Sequence, residues 1–188
     1  MKPWFVTASL TGLLLSWRIA TVRPHVVGRL LDIGCGSNVL VRGYSGEGGE
    51  GQGVDVHDWG DVDVVVEDTS DLPFPDGSFE TVTIVAALNH IPNRDDVLVE
   101  ARRVLADGGI LVVTMIPPNI SRIWHRLRQR WDPDQQVRDH HDHEVWGFNQ
   151  TDLKDMLARA GFAVETETKF MLGINTMTIA RKAKGQIT

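Results

Sequence analysis

The stretch Gly28–Gly43, GRLLDIGCGSNVLVRG, constrains this chain more than any other. Leu30, Leu31 and Ile33 form an apolar run flanked by Gly28 and Gly34. Such a run reads as a strand covered on both faces, the kind found in parallel sheets flanked by helices. The run contains one carboxylate, Asp32, and passes into Gly34-Cys35-Gly36. Two glycines one residue apart let the backbone turn sharply and approach a ligand with no Cβ in the way. Backbone N–H groups beyond such a turn favour polar or anionic ligand groups. Alone, the two glycines also suit a plain tight turn, and Val39 stands where the third glycine of a dinucleotide fingerprint would be.

The rest of the chain supplies partners for that strand. Short strands are expected at Gln52–Val56, at the valine-rich Val62–Asp68 and at Phe79–Leu88. The glycines at 43, 46, 48, 49 and 51 leave room for only one or two helical turns near Ser37–Val41. Between the second and third strands only HDWGD intervenes, too little for a crossover helix. The clearest helix is Arg94–Leu105, with Val97, Leu98, Ala101, Val104 and Leu105 on one face. A fifth strand follows at Gly109–Ile116, and a helix at Thr151–Ala160 stops at Gly161. The tail reads as two strands joined by a turn near Leu172–Asn175. Alternating strands and helices, closed by an antiparallel hairpin, give a doubly wound, mostly parallel α/β sheet. The length of 188 residues favours a single domain.

Three groups then fall at one carboxyl edge. They are the glycine turn, Asp55 at the end of the second strand, and Asp68-Thr69 at the end of the third. Open α/β sheets bind their ligands at that edge, and a strand-end carboxylate there can accept hydrogen bonds from a ribose diol. A solvated strand-end Asp is the alternative for each position taken singly.

The segments LLDIGCGSN, GVDV, EDTSDLPFPDGSFETV and ARRVLADGGILVVTM resemble the class I S-adenosylmethionine-dependent methyltransferases, in particular the small enzymes with a DIGCG loop and an LPFPDGSF segment. The likeness runs from about Leu30 to Met115, and the terminal helix and hairpin agree in order. It implies a seven-stranded Rossmann-like sheet and S-adenosylmethionine as cofactor. By the same resemblance, Asp32, Gly34 and Gly36 line the methionine part of the cofactor. Asp55 takes the ribose hydroxyls, with Val56 beside it as a further contact. Asp68 accepts from the adenine amino group, Thr69 offers its backbone N–H, and Ala86 and Ala87 pass close to the sulfonium. The chain departs from the family pattern in Ser37-Asn38 for the usual Thr-Gly, in a short first helix, in the missing helix after the second strand, and in Glu80 for a frequent Asp.

The acceptor side is written less clearly. His90 stands after the fourth strand, where an imidazole could act as general base, and Asn89 could orient a nucleophile; both could equally shape the loop. Methyl transfer to an aligned acceptor needs no base in principle. The expected acceptor is a small molecule or a lipid-like compound. The Trp-rich start, residues 4–17, is short for a membrane span and is expected to form a helix or lid within residues 1–24. The long insert 117–148 is expected to cover the acceptor site. Within it, residues 120–131 combine an apolar stripe with Arg122, Arg126, Arg128 and Arg130, suited to burial, an anionic substrate or a membrane surface. His140, His141, His143 and Glu144 are metal ligands in kind but lack metal-site spacing, so no metal is expected. A net charge of −6 argues against a nucleic-acid partner, and the single Cys35 fits a reducing, cytoplasmic compartment with or without peripheral membrane contact. Two other classes fit parts of the pattern: a nicotinamide-dependent oxidoreductase, through Gly34, Gly36 and Asp55, and a non-catalytic module that keeps the fold.

Overall fold

The computed structural model describes residues 10–116 and 149–183, without the side chains of residues 10 and 11. In chain order the described residues form helix α1 (Leu10–Val22), strand β1 (Arg29–Ile33), helix α2 (Val39–Gly46), and strands β2 (Glu50–Asp55), β3 (Val64–Val65) and β4 (Phe79–Val85). Helix α3 (Arg94–Val104), strand β5 (Leu105–Met115), helix α4 (Gln150–Arg159) and strands β6 (Phe162–Phe170) and β7 (Asn175–Lys182) complete them. Single 3₁₀ turns sit at Arg23–His25 and Leu88–His90.

The strands make one seven-stranded sheet in the order β3-β2-β1-β4-β5-β7-β6. The pairs from β3 to β5 are parallel, and β7 is antiparallel to both β5 and β6. The expected doubly wound sheet with a terminal hairpin is therefore present.

The alternation of side chains sorts the core into two layers. Leu31, Ile33, Val82, Ile84, Leu111 and Val113 face one way and pack with Val97, Leu98, Ala101 and Val104 of α3 and Leu153, Met156 and Leu157 of α4. Leu30, Ile110, Val112, Met177 and Ile179 face the other way, against Ile19 and Val22 of α1 and Leu40, Val41 and Tyr44 of α2. Each large side chain so buried stabilises the fold by about 1.5–3 kcal/mol. Asp32 follows Leu31 and precedes Ile33, so it lies on the α1/α2 side with Leu30. That position puts a carboxylate in an otherwise apolar layer.

Several boundaries differ from expectation, each for a physical reason. Helix α2 runs to Gly46 rather than stopping at Val41; burial of Leu40, Val41 and Tyr44 offsets its internal glycines. Strand β3 is only two residues long, not seven. It lies at the sheet edge, and the residues before it are engaged elsewhere: the Asp63 carboxylate accepts from Gly53 N at 2.7 Å and the Asp61 carbonyl accepts from Asn38 Nδ2 at 2.9 Å. Asp68 therefore stands three positions past the strand rather than at its end. Strand β4 ends at Val85, not Leu88, because Ala86 turns to a positive φ of 55°. Strand β5 begins at Leu105, four residues early, through an irregular stretch opposite Phe79 and Thr81. No helix follows β2, as expected.

The insert 117–148, with its basic stripe 120–131 and the His140–Glu144 cluster, lies outside the described residues, as do residues 1–9. No helix among the described residues is long and apolar enough to cross a membrane.

Candidate active site

The parallel register brings the ends of β1, β2 and β4 to a common carboxyl edge. Gly34 and Gly36 follow β1 there, both with positive φ (72° and 54°). At Gly34 a Cβ would lie 2.6 Å from the Ala87 Cβ, so glycine is needed for the β1 and β4 loops to touch. At Gly36 a Cβ would meet nothing within 4 Å. That residue is bare backbone facing open space, as a ligand loop requires.

Under this loop lies a cleft lined by Leu15 and Ile19 of α1, by Asp32, Cys35 and Ser37, and by Leu40 of α2. Among the described residues no basic side chain lines it. Asp32 is buried, and Thr83, its register partner on β4, donates to Asp32 Oδ1 at 2.6 Å. Burial pushes the Asp32 carboxyl up to about 7, the Thr83 bond opposes that rise, and the nearby Asp55 charge adds to it. Burial, followed by the charges of Asp32, Asp55 and Asp63, also raises the Cys35 thiol far above its ordinary value. Cys35 therefore stays a neutral thiol and is a poor nucleophile.

Asp55 ends β2 with both carboxylate oxygens engaged by backbone: Oδ2 accepts from Gly36 N at 2.9 Å and Oδ1 from His57 N at 3.1 Å. It thus ties the glycine loop to the β2 loop. Each oxygen keeps a second lone pair for a ligand hydroxyl. Val56, the next residue, is 45% exposed, so an apolar side chain flanks the carboxylate on the solvent side.

Asp68 is exposed and Thr69 after it is buried. Asn93 Nδ2 donates to both Asp68 oxygens at 2.9 Å, and Ser70 N donates to Oδ1 at 2.8 Å. The Asn93 bond first, and then the Ser70 N–H, hold the Asp68 carboxyl below its usual range. Ala86 N donates to both the carbonyl and the hydroxyl of Thr114 at 3.1 Å, which holds the left-handed backbone at the mouth of the cleft. Asn89 Nδ2 and His90 Nε2 lie 3.0 Å apart, both half-buried.

A glycine turn, a buried carboxylate under it and acidic groups after successive strands suit a nucleoside ligand carrying a cationic end. A family model described as a methyltransferase domain matches residues 14–167. The chain belongs to that family.

Among curated proteins, the ubiquinone/menaquinone biosynthesis C-methyltransferase UbiE of Burkholderia mallei (strain SAVP1) is 30% identical over 142 residues, which is 64% of this chain and 56% of that protein. The chain thus spans a little over half the length of the curated relatives it matches. Among solved structures, a chain from the complex of the Haloferax volcanii Trm112 methyltransferase activator with a methyltransferase aligns with a TM-score of 0.69 at 16% identity, over 92% of this chain and 91% of that one. A SAM-dependent methyltransferase from Thermotoga maritima aligns with a TM-score of 0.65 at 20% identity, over 88% and 87% of the two chains. At such identities the structures share the fold. S-adenosylmethionine is the cofactor of this methyltransferase domain, and the residues present fit it: Asp32 is a buried carboxylate with no cation among the described residues lining its cleft, and Gly36 leaves space above the loop.

The methyltransferase domain contains site elements that motif reading passes over. Asn38 stands two residues past Gly36, where the family pattern has glycine, and it adopts a left-handed φ of 54° that asparagine tolerates. Its Nδ2 donates to the Asp61 carbonyl and to Asp63 Oδ2 at 2.8 Å, bracing the loop where a helix would otherwise connect β2 to β3. A second brace holds LPFPDGSF. Arg103 Nη2 donates to Glu100 Oε1 and to the Leu72 carbonyl, and Nη1 donates to the Phe74 carbonyl and to Asp76. Glu100 Oε1 also accepts from Leu72 N at 2.8 Å. This network ties the LPFPDGSF segment to the end of α3. Among the described residues no group of three or more His, Cys, Asp or Glu side chains could hold a metal ion.

Proposed function

We propose that this chain transfers the methyl group of S-adenosylmethionine to a small, apolar, lipid-like acceptor. The observation that carries it is the convergence of Asp32, Gly36 and Asp55 at one carboxyl edge, with Gly36 N bonded to Asp55 Oδ2. When bound, the cofactor supplies a methyl group already activated on a cationic sulfonium.

The chain's own residues bind and orient. Asp32 with Gly34 and Gly36 holds the methionine end, Asp32 facing its amino group. Asp55 accepts from the ribose hydroxyls while Val56 covers the adenosine from solvent. Asp68 accepts from the adenine amino group and Thr69 donates its backbone N–H. Ala86 and Ala87 border the point of transfer. At His90 the bond from Asn89 occupies the Nε2 lone pair in the tautomer that the pairing implies. Orientation of the acceptor by Asn89 and His90 is favoured over proton abstraction, which would require that bond to open.

The acceptor class has separate support. The β6–β7 turn lies at the carboxyl edge, since Thr176 pairs with Met115 at the end of β5. It exposes Leu172 (96%) and Ile174, and α1 exposes Leu13 and Trp17 beside the cleft-lining Leu15. The relative named for ubiquinone/menaquinone biosynthesis points to a carbon acceptor of the same apolar kind.

Calorimetric titration with S-adenosylmethionine and S-adenosylhomocysteine, with NADH as control, tests the cofactor. Micromolar binding of the first two alone supports the proposal. Binding of NADH alone would make the chain an oxidoreductase, and binding of none would make it a module that keeps only the fold. Methyl transfer from labelled cofactor to short-chain quinols, compared with small hydrophilic phenols and amines, tests the acceptor.

A further inference from the structure

Two asparagines in this protein occupy the same helical position and behave differently. Asn149 precedes α4, and its Oδ1 accepts from Asp152 N at 2.9 Å, the ordinary N-cap bond. Asn93 precedes α3 in the same way, yet its side chain makes no cap bond. It turns away from its own helix and gives its amide N–H groups to Asp68 Oδ1, Asp68 Oδ2 and Ser70 Oγ, each at 2.9 Å. Asp95 and Asp96 in the first turn supply negative charge at the helix start instead. A residue suited to capping has thus been recruited to hold a carboxylate outside the helix.

We propose that Asn93 is a positioning residue for nucleobase recognition: its amide fixes the Asp68 carboxylate so that the site takes a base with an exocyclic amino group and refuses its 6-oxo counterpart. The proposal rests on the assignment of Asp68 to the adenine amino group made above. The geometry gives it content. A carboxylate held through both oxygens cannot swing; Oδ1 is filled by Asn93 Nδ2 and Ser70 N, while Oδ2 accepts from Asn93 Nδ2 and retains a second lone pair for another donor. Adenine offers an N–H donor at its 6-position, whereas hypoxanthine presents a carbonyl oxygen there. An oxygen facing a fixed anionic acceptor is repelled, and the remaining lone pair of Oδ2 is left without a donor, the situation that makes polar discrimination steep. With Asp68 free to rotate away, the repulsion would be relieved and the discrimination lost.

The test compares S-adenosylhomocysteine with S-inosylhomocysteine by calorimetry on the full chain. Wild type, Asn93→Ala, Asn93→Gln and Asp68→Asn are measured, each checked by circular dichroism and thermal melting. Asn93→Ala is expected to weaken S-adenosylhomocysteine on the order of tenfold and to bring the two ligands closer in affinity by a similar factor. Asn93→Gln, which keeps the amide, should restore part of the preference. No cap bond is lost in either Asn93 variant, so the thermal midpoint of each should fall by no more than the loss of hydrogen bonds to the exposed Asp68 costs. A preference unchanged in Asn93→Ala but lost in Asp68→Asn would overturn the role of Asn93 alone. A preference unchanged in Asp68→Asn would overturn the Asp68 assignment itself and this proposal with it. Tighter S-adenosylhomocysteine binding in Asn93→Ala would show that the amide competes with adenine, which also overturns positioning.

Discussion

Thr83 Oγ1 donates to Asp32 Oδ1 at 2.6 Å, directly across the β1–β4 register, and lies 3.4 Å from the Leu31 carbonyl oxygen. One hydroxyl proton serves two acceptors of different charge. When Asp32 is ionised the proton belongs to the carboxylate; when Asp32 is protonated the hydroxyl can accept from it and donate to Leu31. The bond thus follows the charge state at the floor of the cleft.

The first prediction concerns stability against pH. Asp32 has an ordinary value of 3.8 and is pushed up to about 7 in the fold. Between those limits the folded chain holds a proton that the unfolded chain has released, so the contribution of Asp32 is fully present below about 4 and is lost as pH rises towards 7. Asp68, Glu80 and Glu100 are held low and act with the opposite sign, losing their contribution as pH falls through the acid range. Thermal midpoints of wild type and Asp32→Asn across this range separate the two effects. The wild type should lose stability relative to the variant as pH rises. Parallel profiles would mean that Asp32 is ionised in the ligand-free fold.

Removing the Thr83 hydroxyl should move that same window. Thr83→Val withdraws the bond that opposes the rise, so the Asp32 midpoint should climb further. Binding of S-adenosylhomocysteine, whose amino group is cationic, should strengthen with pH as Asp32 ionises. The strengthening should come at higher pH in Thr83→Val, read by calorimetry at several pH values.

Asp55→Ala should weaken cofactor binding by about 1.5–3 kcal/mol, the scale of hydrogen bonds to a charged group. Because Asp55 also holds Gly36 N and His57 N, hydrogen exchange at both amides should accelerate in the ligand-free variant. An unchanged dissociation constant would remove Asp55 from the ribose site.

Gly53 and Asn38 should prove energetically coupled. A Cβ at Gly53 would lie 2.1 Å from Asn38 Oδ1 and 2.9 Å from Cys35 Sγ. Gly53→Ala should therefore cost about 1–3 kcal/mol by overpacking. In an Asn38→Gly background the first clash disappears, so the same change should cost less. A double-mutant cycle in urea denaturation reads the difference; additive costs would mean that the loop already has slack.

Arg103→Lys should destabilise the fold about as much as a lost charged hydrogen-bond pair, on the order of 2–3 kcal/mol. Lysine keeps the charge but cannot reach the Leu72 and Phe74 carbonyls together with Glu100. Faster proteolysis within residues 71–78 would locate the damage. Wild-type urea stability would show that the brace is redundant.

The parts legible in the sequence were those set by local pattern. The Val97, Leu98, Ala101 and Val104 stripe gave α3, and the apolar run Leu30–Ile33 gave β1. The alternation through the tail gave the β6–β7 hairpin. The motif spacing put the Gly34-Cys35-Gly36 turn, Asp55 and Asp68-Thr69 at strand ends along one edge, which holds for the first two, while Asp68 stands three positions past β3. What could not be read depends on partners distant in the chain. Helix α2 outruns its glycines because Tyr44 is buried and donates to the Gly28 carbonyl at 2.6 Å. Strand β3 shrinks because Asp61 and Asp63 serve Asn38 and Gly53. The left-handed Asn38 substitutes for a glycine, and only its backbone shows it. Asn93 looks like any N-cap until Asp68 is seen beside it.

That last likeness matters for anyone who would engineer this domain. A stability-guided redesign scores Asn93 as a helix start lacking its bond and replaces it with Ser or Asp, side chains that rank beside Asn as N-caps. Serine would abandon the Asp68 carboxylate, and aspartate would set a second negative charge against it. The redesigned chain would carry a capped helix and read its nucleotide less faithfully. Position 93 is where robustness and fidelity draw on the same side chain.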